Sequence, residues 1–316
     1  MAQIPNVVRR ALLYVPSSSQ RMLDKSRSLR VDCVVYDLED SVTPARKAEA
    51  RRGLRAFLEQ PRAKSIREQS VRINSVSSGY ALDDLMEVLA SRNLDSIVVP
   101  KVDSPSDLHF VTDIIHHFRQ GGAANIDKPV QIIALIESAK AIMDISAICK
   151  ASPYLSGLIF AAEDFANDLS ITRTPGLTEF LYARAAIVTA SRAHNLPSTI
   201  DLVCTNYKGA VGQEVLREEC ENGKRHGFNG KQCIHPNQVD ITQDVFAPSP
   251  EEVTWSARVA IAADKADKQG RGAYTLDGMM IDAPVVAKAR GILRKAELCD
   301  IDVGAAMAEW DHQEPE

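Results

Sequence analysis

Two carboxylates, Glu163 and Asp164, stand side by side at the end of the apolar run GLIFAAED, residues 157–164. A buried carboxylate is costly unless it is paired or bound to a metal. A third, Glu137, follows a similar apolar run, VQIIALIES, at residues 130–138. At the ends of neighbouring parallel strands, Glu137 and Asp164 would lie at equivalent heights, and two carboxylates with open water positions suit Mg²⁺. The alternative is that both acids cap the helices that follow.

Charged side chains also end several other apolar runs. Arg72, in VRIN, suits a bidentate grip on a carboxylate, with a structural ion pair as the alternative. Acids of the DLED segment, and Glu163, are expected to orient neighbouring groups such as Arg72 and Lys101 rather than to touch substrate. His235 precedes a proline and is interpreted as a structural hydrogen-bonding residue. The set expected to converge at one edge comprises Asp37, Glu39, Asp40, Arg72, Asn74, Lys101, Glu137, Ser138, Glu163, Asp164, Asp201 and His235.

A basic group follows the first two apolar runs. Arg21 and Lys25 are four residues apart and therefore share one helical face. The segment TPARKAEARR, residues 43–52, adds Arg46 and Lys47. A basic rim beside an acidic, metal-holding mouth suits a substrate with a remote phosphate. The last two arginines of that segment, Arg51 and Arg52, are interpreted as solvated helix charge.

The elements that must position these side chains alternate along the chain. Near-continuous apolar runs predict strands that are covered on both faces, as in parallel sheets. Eight of them, separated by helical patterns, predict a (β/α)₈ barrel; a doubly wound open sheet is the alternative, weakened because no G-x-G-x-x-G follows any run. The runs are ALLYVP (11–16), CVVYDLED (33–40), VRIN (71–74), SIVVPK (96–101), VQIIALIES (130–138), GLIFAAED (157–164), STIDLV (198–203) and GKQCIHP (230–236).

The pattern changes after FAPSPEE, residues 246–252, which predicts two domains, 1–246 and 247–316. EVTWSARVAIAADKADKQG reads as one amphipathic helix ended by Gly270. Asp277-Gly278 between apolar residues is a strong hairpin signal. The second domain is therefore predicted to be a helix, a β-hairpin and a helix, separate from the barrel.

Composition excludes several classes of protein. A net charge of −5 in 316 residues gives no support for nucleic-acid binding, and no apolar run of about 18 residues predicts a membrane span. Six cysteines without C-x-x-C spacing predict buried free thiols in a reducing compartment. No secretory signal is seen, so we expect a cytoplasmic location, or a mitochondrial one if a precursor segment is missing.

The ordered motifs LLYVP, VVYDLEDSV, VRIN, VVPKVDS, LIES, FAAEDF, GKQCIHPNQV and DGMMIDAP resemble the citrate lyase β-subunit-like family of the HpcH/HpaI aldolase superfamily. The similarity covers about residues 9–295 and is nearest to citramalyl-CoA, malyl-CoA and β-methylmalyl-CoA lyases. Ser17 and Ala161 stand where that family often has glycine. The resemblance implies a barrel, Mg²⁺ with Mn²⁺ as the alternative, a coenzyme A thioester, and a homo-oligomer built on trimers.

The resemblance also implies roles for single residues. Residues 247–316 would form a C-terminal lid extension, in which Asp282 of the MID motif would complete a neighbouring subunit's site as the general base. Cleavage of a 3-hydroxyacyl-CoA would release acetyl-CoA with pyruvate or glyoxylate, and we favour citramalyl-CoA. A CoA-independent aldolase acting on a free hydroxy-oxo acid, and a non-catalytic acyl-CoA-binding subunit, are the alternatives. The other implied roles are Glu137 and Asp164 as metal ligands, Arg72 as the clamp on the 2-oxo acid, and Tyr14, Arg21, Lys25 and Lys47 as coenzyme contacts.

Overall fold

The computed structural model describes residues 7–120 and 129–316. Contacts within the chain separate into two compact units: Arg9–Phe246, and Ala247–Glu316 together with residues 7–8. Within the described ranges, no helix combines the length and the apolar character needed to cross a membrane.

The first unit is a closed barrel of eight parallel strands in sequential order, in which the last strand pairs with the first. The prediction of a (β/α)₈ barrel is thereby confirmed, and the open-sheet alternative is wrong. The strands are β1 (Ala11–Pro16), β2 (Val31–Asp37), β3 (Ile66–Arg72), β4 (Ser96–Val99), β5 (Gln131–Ile136), β6 (Leu155–Phe160), β7 (Ser198–Asp201) and β8 (Gly230–Cys233).

Helices connect the strands and cover the outside of the barrel. Residues that alternate along each strand point to two different apolar layers. Leu12, Val35, Ile133 and Ile159 belong to the cluster inside the barrel, and a larger cluster joins the strands to the helices. The helices are α1 (Gln20–Ser26), α2 (Lys47–Leu58), α3 (Ala81–Val88), α4 (Pro105–Gln120), α5 (Ala139–Met143), α6 (Ile145–Lys150), α7 (Ala162–Leu169), α8 (Leu181–Ala193), α9 (Gly209–Arg225) and α10 (Val239–Phe246).

A polar cluster closes the barrel at the amino ends of its strands. The guanidinium of Arg9, 3% exposed, donates to both carboxylate oxygens of Glu68 at 2.7 and 2.8 Å. It also donates to the hydroxyls of Ser156 and Ser198, and Ser96 donates to Glu68. The cluster therefore joins β3, β4, β6 and β7 at the face opposite to the usual active site of such barrels.

Replacing Arg9 by Met is expected to destabilise the protein by about 3–5 kcal/mol, because Glu68 is left buried without its cation. Urea unfolding followed by circular dichroism measures the change. The matched control is Arg46→Met, which removes an exposed ion pair with Glu49 worth about 0–1 kcal/mol. Equal stabilities of the two variants would show that the buried cluster does not stabilise the barrel.

All six cysteines are free and buried. Burial raises the pKa of the Cys220 thiol to about 11 and that of Cys233 to about 12. The thiolate is the reactive form of cysteine, so these thiols are unreactive near neutral pH. The prediction of structural free thiols is confirmed.

The second unit contains α11 (Pro250–Lys268), β9 (Tyr274–Leu276), β10 (Met279–Ile281), α12 (Ala283–Leu298) and a further short helix, α13 (Val303–Glu309). Ser249 caps α11 in a reciprocal capping box with Glu252. The predicted hairpin is present: Asp277 and Gly278 both have positive φ, 52° and 72°, as a tight two-residue turn requires. The predicted order of helix, hairpin and helix is confirmed.

Candidate active site

A cavity of about 490 Å³ opens at the carboxyl ends of the barrel strands, the end called the mouth of the barrel below. Its wall combines apolar residues such as Leu135 and Val203 with charged ones. The carboxyl ends of the strands are where barrels of this type place their active sites. The residues expected at the site that line this cavity are Tyr14, Asp37, Asp40, Arg72, Glu163 and Asp164.

Arg72, the last residue of β3, is held by carboxylates. Its Nε and Nη2 donate to the two oxygens of Asp37 at 2.7 and 2.8 Å, and its Nη1 lies 3.0 Å from Glu39 and 3.4 Å from Asp40. Its guanidinium also sits over the ring of Tyr14, 4.9 Å from the centroid. Burial opposes the charge, but the hydrogen bonds and charge of Asp37 outweigh it and raise the pKa of Arg72 above its ordinary value. Arg72 is a fixed, permanent cation.

Glu137 lies just after β5 and is 6% exposed. One carboxylate oxygen accepts from the backbone N–H of Lys101 at 3.1 Å, and the Nζ of Lys101 binds Glu39 at 2.9 Å. Burial raises the pKa of Glu137 to about 7, and the charges of Asp164 and Glu39 add to the rise. Lys101 has a left-handed backbone, φ 51°, an uncommon conformation for a residue with a side chain. That conformation accompanies the hydrogen bond that its N–H makes to Glu137.

The capping alternative is wrong for Glu137. The N-cap of α5 is Ser138, whose side chain accepts from Ala141 N at 3.1 Å. Asp164 lies in the first turn of α7, where the helix dipole favours a negative charge, but Ala161 is the N-cap residue there. Glu137 is therefore a buried carboxylate that caps no helix, and the charge of another acid, Asp164, acts on it.

The charge of the mouth fits a divalent cation. Six carboxylates (Asp37, Glu39, Asp40, Glu137, Glu163 and Asp164) lie with three cations (Arg72, Lys101 and Arg173), which leaves a net charge of −3 when all are ionised. Within the described ranges, no group of three or more His, Cys, Asp or Glu side chains is arranged so that all of them could bind one metal ion. Mg²⁺ needs only one or two protein carboxylates, so two such as Glu137 and Asp164 would suffice, whereas a zinc site would need more protein ligands.

In the metal-free protein, the free energy of unfolding is expected to depend on the ionisation of Glu137. Its folded-state pKa, about 7, lies above the ordinary value, so folding favours the protonated form. The stability contribution is fully present below the ordinary pKa and is lost as pH rises through 7, a change of about 3 kcal/mol. Urea unfolding in EDTA between pH 5 and 8 should show this loss relative to Glu137→Gln. Parallel pH profiles for the two proteins would refute it.

The family model for HpcH/HpaI aldolase/citrate lyase matches residues 10–236, most of the barrel. The chain belongs to this family. The human mitochondrial citramalyl-CoA lyase is 36% identical over 299 residues, covering 92% of this chain and 86% of the relative. The (3S)-malyl-CoA thioesterase of Cereibacter sphaeroides is 33% identical over 288 residues, covering 91% and 94%. The predicted family is confirmed, and the protein is a lyase.

A solved structure of the same kind resembles the chain over nearly its whole length. It is the protein CitE from Mycobacterium tuberculosis in complex with magnesium, acetoacetate and coenzyme A. The identity is 26% and the TM-score 0.71, over 93% of this chain and 100% of that one. The fold seen here and the family assigned from the sequence therefore agree.

The basic residues that the family resemblance implies as coenzyme contacts have different environments. Arg21 and Lys25 are exposed on α1. Lys47 is buried, and its Nζ donates to the carbonyl oxygens of Leu38 and Glu39 at 2.9 and 2.8 Å. The structure therefore does not bring all three basic side chains together at one exposed surface.

Tyr14, which the family resemblance also implies as a coenzyme contact, lies inside the mouth. Its hydroxyl donates to Gln232 at 3.0 Å, and burial raises the pKa of the phenol well above its ordinary value. Gln232 in turn donates to the carbonyl oxygen of Phe160 at 2.9 Å. Sequence reasoning missed Gln232; the signal was a polar residue inside the otherwise apolar run GKQCI.

The two positions where the chain departs from the family's glycines both lie near the mouth. Ser17 follows β1 and is buried, and its N–H donates to the carbonyl oxygen of Asp37 at 3.1 Å. Ala161 follows β6 and lines the cavity. Neither has a positive φ, so neither position needs glycine for its backbone conformation.

Three interpretations from the sequence are wrong. Asp201 does not face the mouth: its carboxylate is fully buried against Arg184, at 2.7 Å, on the helical side of β7. Asn74 is likewise buried, and its amide donates to Asp84. Arg51, interpreted as solvated, is buried and also pairs with Asp84, at 2.8 Å. In each case the partner lies on another element, which residue spacing does not show.

Two further interpretations concern His235, which follows β8, and Arg52, on α2. His235 is a structural hydrogen-bonding residue, as predicted: its Nδ1 accepts from Asn237 N and its ring stacks on Tyr207. Arg52 is exposed, also as predicted. Neither residue is needed for the charge arrangement around the cavity.

Asp282, which the family resemblance implies as the general base, belongs to the C-terminal unit. It is the N-cap of α12, and its carboxylate accepts from Val285 N at 3.2 Å. It directly follows β10 of the hairpin. One carboxylate oxygen makes the capping bond, so the second can accept a proton.

Proposed function

We propose that the protein catalyses the Mg²⁺-dependent, reversible cleavage of a 3-hydroxyacyl-CoA into acetyl-CoA and a short 2-oxo acid. The substrate would be citramalyl-CoA, giving pyruvate, or malyl-CoA, giving glyoxylate, and we favour citramalyl-CoA. One observation carries the proposal: Asp164 and a fixed cation, Arg72, line one cavity of a lyase-family barrel, and a buried carboxylate, Glu137, lies close enough to Asp164 for the two charges to interact. The similarity to a citramalyl-CoA lyase supports the choice of thioester.

Glu137 and Asp164 would hold the metal. When bound, Mg²⁺ supplies a Lewis acid for the substrate oxygen that becomes the ketone. The solved relative with magnesium and coenzyme A supports this assignment. The carboxylates themselves supply the negative charge that offsets the ion and fix its place at the ends of β5 and β6.

Arg72 would bind the carboxylate that becomes part of the 2-oxo acid. Asp37 occupies its Nε and one side of Nη2, which fixes the plane of the guanidinium. The contact of Nη1 with Asp40 is the longest, 3.4 Å, and the Asp40 side chain is 64% exposed. A substrate carboxylate would therefore displace Asp40 from Nη1 and gain a charge-assisted hydrogen bond to a group that is already oriented.

Asp282 would act as the general base from a neighbouring subunit of a homo-oligomer built on trimers. It would take the hydroxyl proton during cleavage, or the α-proton of acetyl-CoA during condensation. We propose that residues 247–316 form a lid that carries this carboxylate to the mouth of the next barrel. The position of Asp282 directly after an exposed hairpin strand, with Met280 74% exposed, supports this role.

Tyr14, Arg21, Lys25 and Lys47 are the proposed coenzyme contacts. Arg21 and Lys25 are the best supported, because two exposed cations on one helical face suit phosphate groups. Tyr14 lines the cavity and would lie near the thioester end. The Nζ of Lys47 already donates to two backbone carbonyl oxygens, so Lys47 would attract the phosphate groups of the coenzyme through its charge.

An assay with purified protein tests the function. Racemic citramalyl-CoA and malyl-CoA are supplied separately with Mg²⁺, and acetyl-CoA, pyruvate and glyoxylate are quantified over time. We expect cleavage of at least one thioester, lost in EDTA and restored by added Mg²⁺. A folded protein that cleaves neither thioester in the presence of Mg²⁺ would refute the proposal.

The same assay separates the other candidate functions. The similarity to a malyl-CoA thioesterase favours hydrolysis as a second candidate, which would release malate and free coenzyme A instead of glyoxylate and acetyl-CoA. Turnover of a free hydroxy-oxo acid without coenzyme A would indicate an aldolase of the same barrel. Binding of acetyl-CoA without turnover would indicate a non-catalytic subunit.

We also propose an intracellular location. Six buried free thiols suit a reducing compartment. Cytoplasm is the default; the name of the human relative supports mitochondria as the alternative. Fractionation of cells expressing the tagged full-length protein distinguishes the two.

A further inference from the structure

Arg173 joins two successive β–α units at the rim of the cavity. It lies in the loop after α7, and its side chain is 16% exposed. Nη1 donates to Glu163 at 2.6 Å and to the carbonyl oxygen of Val203 at 3.0 Å, and Nη2 donates to Glu219 at 2.8 Å. These partners belong to α7, to the segment after β7 and to α9 respectively.

Two of the three partners belong to the cavity wall. Glu163 and Val203 both line it. Glu163 directly precedes Asp164 in the first turn of α7, so the position of its side chain and the orientation of Asp164 depend on the same helical turn. A group that fixes Glu163 therefore also restricts the direction in which the Asp164 carboxylate points.

The third partner anchors the arginine to the interior. Glu219 has 12% side-chain exposure, and its second oxygen lies 3.0 Å from the Nζ of Lys231, a fully buried residue of β8. Arg173 is thus attached at one side to a buried ion pair and at the other to the cavity wall. A planar guanidinium can hold such partners at fixed angles, which the single ammonium of a lysine cannot do.

We propose that Arg173 is a positioning residue for the cation site: it fixes the first turn of α7 and so orients Asp164 towards the ion. This rests on the proposed function, because it assumes that Asp164 binds the metal. Arg173 touches neither the metal nor the substrate in this assignment. Its removal weakens metal binding while leaving the ligands themselves in place.

Metal binding without substrate tests the proposal. Mn²⁺ alone is titrated into the purified, metal-free full chain and followed by electron paramagnetic resonance, with Mg²⁺ titration calorimetry as a second measurement. Arg173→Met is expected to weaken Mn²⁺ affinity about 10–100-fold, the usual effect of losing a residue that orients a ligand. Arg173→Lys should lie between it and the wild type. At saturating Mg²⁺ the kcat of both variants should return towards the wild-type value.

Two further variants keep the test decisive. Glu163→Gln removes the charge that Arg173 holds, at a side chain 52% exposed where folding is not at risk, and should weaken Mn²⁺ binding in the same direction. Arg225→Met, on an arginine of α9 that is 69% exposed, is the matched control and should bind Mn²⁺ like the wild type. Thermal unfolding in EDTA verifies that each variant is folded.

The outcomes separate this inference from the proposed function. If the wild type binds Mn²⁺ and the folded Arg173 and Glu163 variants bind it with the same affinity, the positioning role is wrong and the proposed function stands. If the wild type binds neither Mn²⁺ nor Mg²⁺, both are wrong. Selective weakening in these variants, with the Arg225 control unchanged, supports the positioning role.

Discussion

Replacing Glu137 by Gln is expected to reduce thioester cleavage by about 10³-fold or more. The change removes one of the two carboxylates proposed to hold the cation, and a Lewis acid of this kind contributes several kcal/mol to the stabilisation of developing charge. Asp164→Asn should have a similar effect, because the second proposed ligand is lost instead. Excess Mg²⁺ should restore little of the activity in either variant.

The same substitution should leave the fold intact. Gln has nearly the shape of Glu, and its carbonyl oxygen can keep the hydrogen bond from the Lys101 N–H. Because a buried carboxylate is replaced by a neutral group, the metal-free variant should be at least as stable as the wild type above pH 7. Loss of activity without loss of stability would therefore assign Glu137 to the reaction and not to packing.

Steady-state kinetics over a range of Mg²⁺ concentrations measure the effect. Glu221→Gln is the matched control: Glu221 is half exposed on α9 and lies 3.9 Å from Arg225, so its removal should change neither kcat nor stability. Wild-type activity in both Glu137→Gln and Asp164→Asn would exclude these two residues as the metal ligands.

The barrel was predictable because its strands carry their own signal. Strands covered on both faces must be apolar along their length, and β1 was predicted with its observed bounds, Ala11–Pro16. β3 was recognised only from Val71, whereas it begins at Ile66. Its inward-facing residues before that point include Glu68, which serves the buried cluster with Arg9, so the strand lacks the apolar pattern there.

The convergence of charged side chains at the strand ends followed from topology. Parallel strands that close into a barrel must present their following residues at one mouth, which brings Arg72 and Asp164 to the same cavity. Whether the side chain at the end of a strand points to the mouth of the barrel or towards the surrounding helices was not predictable in the same way. Asp201 ends β7 but points towards α8, where Arg184 neutralises it, and only the packing of that helix reveals this.

Residues that act between elements were missed for a related reason. Arg173 and Gln232 each make their contacts with partners distant in the sequence, such as Glu219 and Phe160. No local spacing marks such a pair, because the distance between the partners is set by how the helices and strands pack. The sequence therefore indicates which residue types end the strands, and the structure is needed to show what holds them in place.

Replacing Asp282 by Asn is expected to reduce kcat about 10²–10⁴-fold, the usual contribution of a general base. The fold should tolerate the change, because Asn is as good an N-cap as Asp and can keep the bond from Val285 N that begins α12. Asp302→Asn is the matched control: Asp302 is the N-cap of α13 in the same unit and accepts from Ala305 N at 3.0 Å. The control should retain full activity, and thermal unfolding should not distinguish the two variants.

A mixing experiment decides whether Asp282 serves its own barrel or a neighbour's. Glu137→Gln and Asp282→Asn proteins, each inactive alone, are combined under conditions that exchange subunits. If the hairpin reaches the next subunit, random assembly pairs an intact Glu137 with an intact Asp282 at about a quarter of the sites, and activity returns to about that fraction of the wild type. If Asp282 serves its own barrel, every site still lacks one of the two carboxylates, and the mixture stays inactive. No recovery in a mixture whose subunits have exchanged would therefore contradict the shared site while leaving the catalytic role of Asp282 in place.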